Sequence, residues 1–342
     1  MKTMIPRACR ALLALILAVL LVGPVSAVVA QDKADEIQLV PPPGGQDNNI
    51  EMWRAVRGGI QGTVSIPDKK AGVLVQSEGE DWRSTRNGPL STYGAWLMLG
   101  TVAVLALFFA FRGRIRIEAG RSGKTIVRFA AFERFVHWLM AATFILLALS
   151  GLNMLYGRYV LKPLLGADAF AGLTMAGKLA HNYLGFLFIA CLVVTFLMWI
   201  RHNMPTATDI AWLARGGGMI GKGHPPAAKF NAGQKLVFLG VIVVGAVISY
   251  TGLSLVYPFD FDITVQAMQS AQLLHASASL VLIALIIAHI YIGTIGMEGA
   301  VEAMWTGTVD ENWAREHHSL WVEDLAKQDA EAPEGSGTAP AE

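Results

Sequence analysis

Four of the eight histidines in this chain, His137, His181, His275 and His289, lie inside long apolar segments. A lone histidine in such a setting is more often a packing or proton-relay residue than a ligand. Here the four form a pattern. His275 and His289 are fourteen residues apart on one apolar stretch. On a helix that separation is ~21 Å along the axis, and fourteen steps of ~100° bring the two side chains back to within ~40° of one direction. They point into one groove at two heights, and His137 and His181 supply a partner for each. Neutral imidazole is a good axial ligand for haem iron, and two on one iron leave no open position, which suits electron transfer rather than oxygen chemistry. The pairs His137/His289 and His181/His275 therefore predict two b-type haems. No C-x-x-C-H motif occurs, which excludes covalent c-type attachment.

The elements that must hold these residues are membrane spans. The chain is 54% hydrophobic and 15% charged, more apolar than an ordinary soluble domain. Its net charge of +1 and the absence of a basic stripe with interleaved aromatics set nucleic-acid binding aside. Five segments are long enough to cross ~30 Å of hydrocarbon, about Thr92–Phe111, Phe132–Leu155, Leu179–Ile200, Leu236–Tyr257 and Leu273–Gly296. Each must be a helix, because a span in lipid has to satisfy its own backbone hydrogen bonds. Basic residues crowd the connection after the first span, from Arg112 to Arg134, and the one after the third, from Arg201 to Lys235. The positive-inside rule places both in the cytoplasm. The connection from Pro258 to Gln272 carries Asp260 and Asp262 without Lys or Arg and faces outward.

The termini complete the predicted organisation. Residues 1–30 have a basic start, a short apolar core and small residues around Ala27 and Ala30, the pattern of a secretory signal peptide. Residues 31–91 read as a small exported, periplasmic region with a proline-rich linker at Pro41–Pro43 and a hairpin around 62–66 and 72–76. Residues 326–342 read as a disordered cytoplasmic tail. Cys9 falls in the signal and Cys191 is a lone thiol in a span, so no disulfide framework or cysteine-held iron–sulfur site can be built. The fold expected is all-α: a four-helix di-haem cytochrome b bundle at 128–325, preceded by an additional transmembrane helix at 92–111.

With this topology His137 and His289 are level near the cytoplasmic side, and His181 and His275 are level near the outer side. Gly151, Gly185, Gly245, Ala276, Ser277 and Ala278 could give a flat macrocycle room, although close helix packing explains small residues equally well. His202, His224, His317 and His318 fall in polar segments and are expected to be solvated or to face a partner.

These residues resemble the cytochrome b (gamma) subunits of membrane-bound, quinone-linked formate dehydrogenases. The resemblance spans about Arg128 to Leu325. It rests on Arg134-Phe135-Val136-His137-Trp138, Leu179-Ala180-His181 with Leu184-Gly185, and Phe230-Asn231-Ala232-Gly233-Gln234-Lys235, then on Leu274-His275, Ala288-His289-Ile290-Tyr291 and Trp313-Ala314-Arg315-Glu316-His317-His318. It implies an electron-transfer subunit with no formate chemistry of its own, anchored in the bacterial inner membrane with its C-terminus cytoplasmic. An iron–sulfur (beta) subunit, fed by a molybdenum or tungsten catalytic (alpha) subunit, would deliver electrons to the outer haem. The inner haem would pass them to a quinone, menaquinone or ubiquinone, in a pocket lined by Asn231 and Gly233. Asn231 can also be read simply as a helix cap. The cytochrome b subunits of nickel–iron hydrogenases have a similar histidine layout and are the nearest alternative. A histidine-relay channel or transporter is a third reading, but it lacks support from an internal repeat or from acidic residues within the later spans.

Overall fold

The computed structural model describes residues 77–218, 223–261 and 263–331. The expected signal peptide, the exported region up to residue 76 with its hairpin, and residues 332–342 lie outside the described residues. In chain order the helices are α1 (Ser77–Thr85), α2 (Ser91–Arg112), α3 (Ala131–Val160), the single turn α4 (Lys162–Leu165), α5 (Ala167–Trp199), α6 (Ala207–Ala214), α7 (Ala232–Val256), α8 (Val265–Tyr291), the single turn α9 (Glu302–Trp305), α10 (Glu311–His317) and α11 (Ser319–Glu331). Among the described residues five helical stretches are long and apolar enough to cross a membrane, as the sequence predicts. Apolar side chains on their outer faces, such as Leu149 at 60% and Phe111 at 88% exposure, fit lipid as the surrounding solvent.

The spans extend beyond their apolar cores. A π-helical turn at Arg86–Leu90, containing Pro89, joins α1 to α2, so helix occupies residues that the sequence assigns to the exported region. At the other end α11 runs to Glu331, into the expected tail. In the bundle α3 packs along α5, α5 meets α7, and α8 packs along α7 and α2, while α3 and α8 approach each other over a short stretch only. The additional helix is clipped on by close approach. A Cβ at Gly94 would lie 2.5 Å from Leu280 Cδ1, and the Tyr156 hydroxyl donates to Ser91 O at 3.0 Å.

The connections at one end of the bundle fold into a cap, which the sequence gives no sign of. Thr125–Val127 (β1) pairs antiparallel with Thr308–Asp310 (β2) in register Thr125↔Asp310. The N–H groups of Arg128 and Phe129 both donate to Gly307 O, at 2.8 and 3.1 Å. Gly307 has φ +89, and a Cβ there would meet Phe129 O at 2.7 Å, so only glycine fits. Phe129, Trp199, Phe230, Val309, Trp313 and Trp321 form the cap's apolar core. Arg128 is buried within it, donating to Lys229 O at 2.6 Å with its guanidinium over the Phe129, Trp313 and Trp321 rings. Burial lowers its pKa to about 9, so it still carries its charge at neutral pH.

A second buried charge ties α6 to α7. Lys235 Nζ lies 2.8 Å from Asp209 Oδ2, their side chains 7% and 14% exposed, and it also donates to Met204 O at 3.1 Å. Burial works against the Asp209 charge, but the hydrogen bonds from Lys235 and Thr206 outweigh it and hold the carboxyl below its ordinary value. The stability this carboxylate contributes is therefore fully present above the unfolded pKa and is lost as pH falls through the lowered folded one. Asp209→Asn leaves the ammonium buried without a counter-charge. It is expected to cost about 3 to 5 kcal/mol locally, read as faster proteolysis and hydrogen exchange across residues 203–215.

Candidate functional site

The four intramembrane histidines meet in two pairs. His137 on α3 faces His289 on α8 with ring centroids 6.2 Å apart, and His181 on α5 faces His275 on α8 with centroids 6.1 Å apart. Both α8 residues stand on one unbroken helix, which keeps the two levels ~21 Å apart. His137 lies two turns inside the cap end of α3 and His289 at the cap end of α8, whereas His181 and His275 lie toward the far end.

The spacing can be tested against one six-coordinate iron. Two metal–nitrogen bonds of about 2 Å each, plus about 1.1 Å from each bonded nitrogen to its ring centre, put the centroids about 6.2 Å apart. Both pairs match. Among the described residues no group of three or more His, Cys, Asp or Glu is placed to hold a metal ion, so pairs and not clusters are what the bundle offers.

At the far pair each ring has a hydroxyl beside Nδ1. The Ser150 hydroxyl lies 2.8 Å from Leu146 O, 3.0 Å from Leu147 O and 2.9 Å from His181 Nδ1. With its proton on a carbonyl, this hydroxyl accepts from Nδ1–H, the tautomer whose Nε2 keeps a free lone pair. Thr251 repeats the device: its hydroxyl donates to Val247 O at 2.8 Å and sits 3.0 Å from His275 Nδ1. Each of these hydroxyl residues precedes a glycine turned to the same ring. A Cβ at Gly151 would lie 3.6 Å from His181 Cε1, and one at Gly252 would lie 3.2 Å from His275 Cε1. Ser150-Gly151 on α3 and Thr251-Gly252 on α7 thus serve the two rings in the same way, setting a hydroxyl beside Nδ1 and giving the ring edge room. Gly151 stands out in the sequence as a small residue within a span, whereas Ser150, Thr251 and Gly252 do not. A hydroxyl–glycine dipeptide repeated in two spans is the signal that marks them.

Other small residues divide between the two explanations. Gly185, one turn beyond His181, has open space where a Cβ would point. Gly245 is a packing glycine, since a Cβ there would meet Leu192 at 3.0 Å, and Ser277 spends its hydroxyl on Leu273 O in its own helix. At the cap-end pair no serine or threonine among the described residues plays the Ser150 role, and among them His137 Nδ1 is buried without a hydrogen-bond partner.

Asn231 and Gly233 stand at the start of α7. Asn231 caps that helix: its Oδ1 accepts from Gln234 N at 2.9 Å, and Gln234 Oε1 accepts from Asn231 N at 3.1 Å, a reciprocal capping box. A Cβ at Gly233 would lie 3.2 Å from Trp212. Asn231 also lines a small cavity in the cap, beside His224 and His317.

Of the remaining histidines, His202 is exposed as expected, and the other three depart from expectation. His318 is fully buried against Trp313 and Trp321, with Nδ1 2.7 Å from Ala228 O. His224 and His317 pack ring to ring at 4.8 Å. They read as solvated in a linear sequence because the cap that buries them is assembled from three distant connections.

The sequence model of the prokaryotic cytochrome b561 family matches residues 128–307, just over half of the chain, starting where β1 gives way to the bundle. The chain belongs to this family, among the cytochrome b subunits of formate dehydrogenase. The cytochrome b556(fdo) subunit of formate dehydrogenase from Escherichia coli strain K12 is 30% identical over 206 residues, which cover 59% of this chain and 94% of the relative. The nitrate-inducible formate dehydrogenase cytochrome b556(Fdn) subunit of the same strain is 29% identical over 218 residues, 63% of this chain and 98% of the relative, and its Shigella flexneri counterpart matches equally. As a cytochrome b561-family protein with five apolar spans, this is a multi-pass membrane cytochrome of the b type.

Proposed function

We propose that this cytochrome b is the membrane-anchoring, di-haem electron conduit of a formate dehydrogenase, with His181 and His275 holding one haem b and His137 and His289 the other. The observation that carries the reading is the pair of facing imidazoles, 6.1 and 6.2 Å between centroids, repeated at two heights. Bound there, each haem would supply reversible one-electron storage. The protein's own part is to hold the ligands, and the Ser150 and Thr251 hydroxyls, 2.9 and 3.0 Å from Nδ1, would do so by accepting from Nδ1–H and leaving Nε2 free to bind.

The basic cap faces the cytoplasm by the charge rule, so the His181/His275 level faces the periplasm along with the N-terminal region. Electrons enter at that outer level from an iron–sulfur subunit served by a molybdenum or tungsten formate-oxidising subunit. They leave at the inner level to menaquinone or ubiquinone near Asn231 and Gly233, at the mouth of α7. All three relatives named above are formate dehydrogenase subunits, which favours this wiring over that of a hydrogenase.

The test is a dithionite-reduced minus oxidised spectrum of the purified chain with haem extraction, expected to give b-type bands and two haems per chain. Absence of those bands would remove the reading. Ser150→Ala and Thr251→Val should keep the helices intact yet loosen the outer haem by roughly 10- to 100-fold, the scale on which loss of a ligand's supporting partner acts. Titration of haem release from each variant checks this, and the inner haem serves as the internal standard.

A further inference from the structure

At the cap end a line of ionisable side chains runs from open water to the cavity that Asn231 lines. Glu118 starts it with a side chain 66% exposed, and its Oε1 lies 3.7 Å from His224 Nε2. Glu316, only 13% exposed, has Oε2 at 3.8 Å from the same nitrogen and is fixed by accepting from the backbone N–H groups of Glu118 and Ala119 at 3.0 and 2.8 Å. His224 is 14% exposed and stands edge to face with His317 at 4.8 Å. Exposure thus falls along the line. Nε2 of His224 and Nε2 of His317 are both buried without hydrogen-bond partners, and both residues line the cavity of about 10 Å³ that also touches Asn231, Trp212 and Met297. That is room for about one water molecule, which would satisfy both nitrogens. A metal cage does not fit, since among the described residues no three such groups converge on a cation.

We infer that Glu118, Glu316, His224 and His317 form a proton-entry relay from cytoplasmic water to the quinone pocket at Asn231, a reading that rests on the quinone-reducing function proposed above. Reduction of one quinone to quinol consumes two electrons and two protons. The electrons come from formate by way of the haems, and the protons come from water. Each proton is taken up by the carboxylates, passed to His224 Nε2, and released from that same nitrogen to the cavity water, which hands it to His317 Nε2 and takes it back toward the pocket; a proton that arrives and leaves at one nitrogen restores the ring's starting tautomer. Neutral rings suit this, because a neutral imidazole offers both a donor and an acceptor. Burial, together with His224 and Arg128, pushes the pKa of His317 down to about 4, so it transmits a proton without storing one. The charged or titratable groups around it are Glu118, Glu316, His224, His318 and Arg128.

The experiment uses the intact formate-oxidising complex in proteoliposomes, with a short-chain quinone as acceptor. Two readouts are taken: the amplitude of haem reduction by formate, and quinol formation as a function of pH. His317→Gln is expected to leave haem reduction at the parent level while lowering quinol kcat at least about 10-fold above pH 7, the low side of what a positioned proton-transfer group contributes. KM should be unchanged, the solvent isotope effect should rise, and added imidazole should partly restore turnover. Glu118→Gln should slow turnover a few-fold at high pH only. Quinol formation by His317→Gln within twofold of the parent, with the parent's pH profile, overturns the relay. Where His317→Gln fails to retain haem, His224→Gln and Glu118→Gln decide on the same criterion. A parent complex whose b bands are not reduced by formate removes the functional reading itself and the relay with it, an outcome distinct from a loss confined to the variants.

Discussion

His275→Ala is expected to halve the b-type difference absorbance of the chain and to stop formate-driven quinol formation. The His275 imidazole lies opposite His181 with ring centroids 6.1 Å apart, and alanine supplies no ligand. His289→Ala should remove the other half, and the double variant should be colourless. Alanine is the strongest helix former, so α8 itself should persist and the spans should still insert. The rate loss should exceed the roughly 10- to 100-fold that follows loss of a supporting partner, because here the ligand itself is gone. The two single variants should differ in one respect. Formate should still reduce the remaining outer haem in His289→Ala, whereas in His275→Ala the inner haem should stay oxidised with formate and yet be reduced by dithionite. Full b-type absorbance in both single variants would refute the ligand assignment.

Gly252→Val is expected to displace the outer haem nearly as completely, without touching a ligand. A Cβ on residue 252 would lie 3.2 Å from His275 Cε1, and valine adds two methyls beyond it. The ring must turn, which breaks the 3.0 Å contact of Nδ1 with Thr251 and moves Nε2 off its line. Haem affinity at the outer level should fall by roughly 10-fold or more, with the inner band unchanged. Gly151→Val, where the first contact to His181 is 3.6 Å, should be milder. Gly245→Val is the control: its clash at 3.0 Å is with Leu192. It should therefore cost about 1 to 3 kcal/mol of helix packing and lower both bands together. A spectrum in which Gly252→Val and Gly245→Val behave alike would show that the room at Gly252 serves packing alone.

The contrast between these glycines shows where sequence reasoning reaches its limit. Gly151, Gly185 and Gly245 look the same in the chain, small residues within spans. One faces an imidazole, one faces open space and one lets two helices touch. Only the neighbouring helix decides, and nothing in a span's own sequence says which neighbour it has. Asn231 shows the reverse: its capping box with Gln234 is local, four residues long, and readable from the sequence as one of two alternatives.

By itself the sequence determined that the chain is a membrane protein with five spans, because apolar length is measured against a bilayer of fixed thickness. It also set the two heights of the histidines, because helical rise and rotation are constants of the backbone. The tertiary structure alone decided which imidazoles meet, which hydroxyls lie beside them, and that His224, His317 and His318 are enclosed in a cap with Arg128. Those facts depend on helix adjacency and on connections far apart in the chain folding over one another. Burial and hydrogen-bond partners belong to the assembled three-dimensional neighbourhood and not to any one segment.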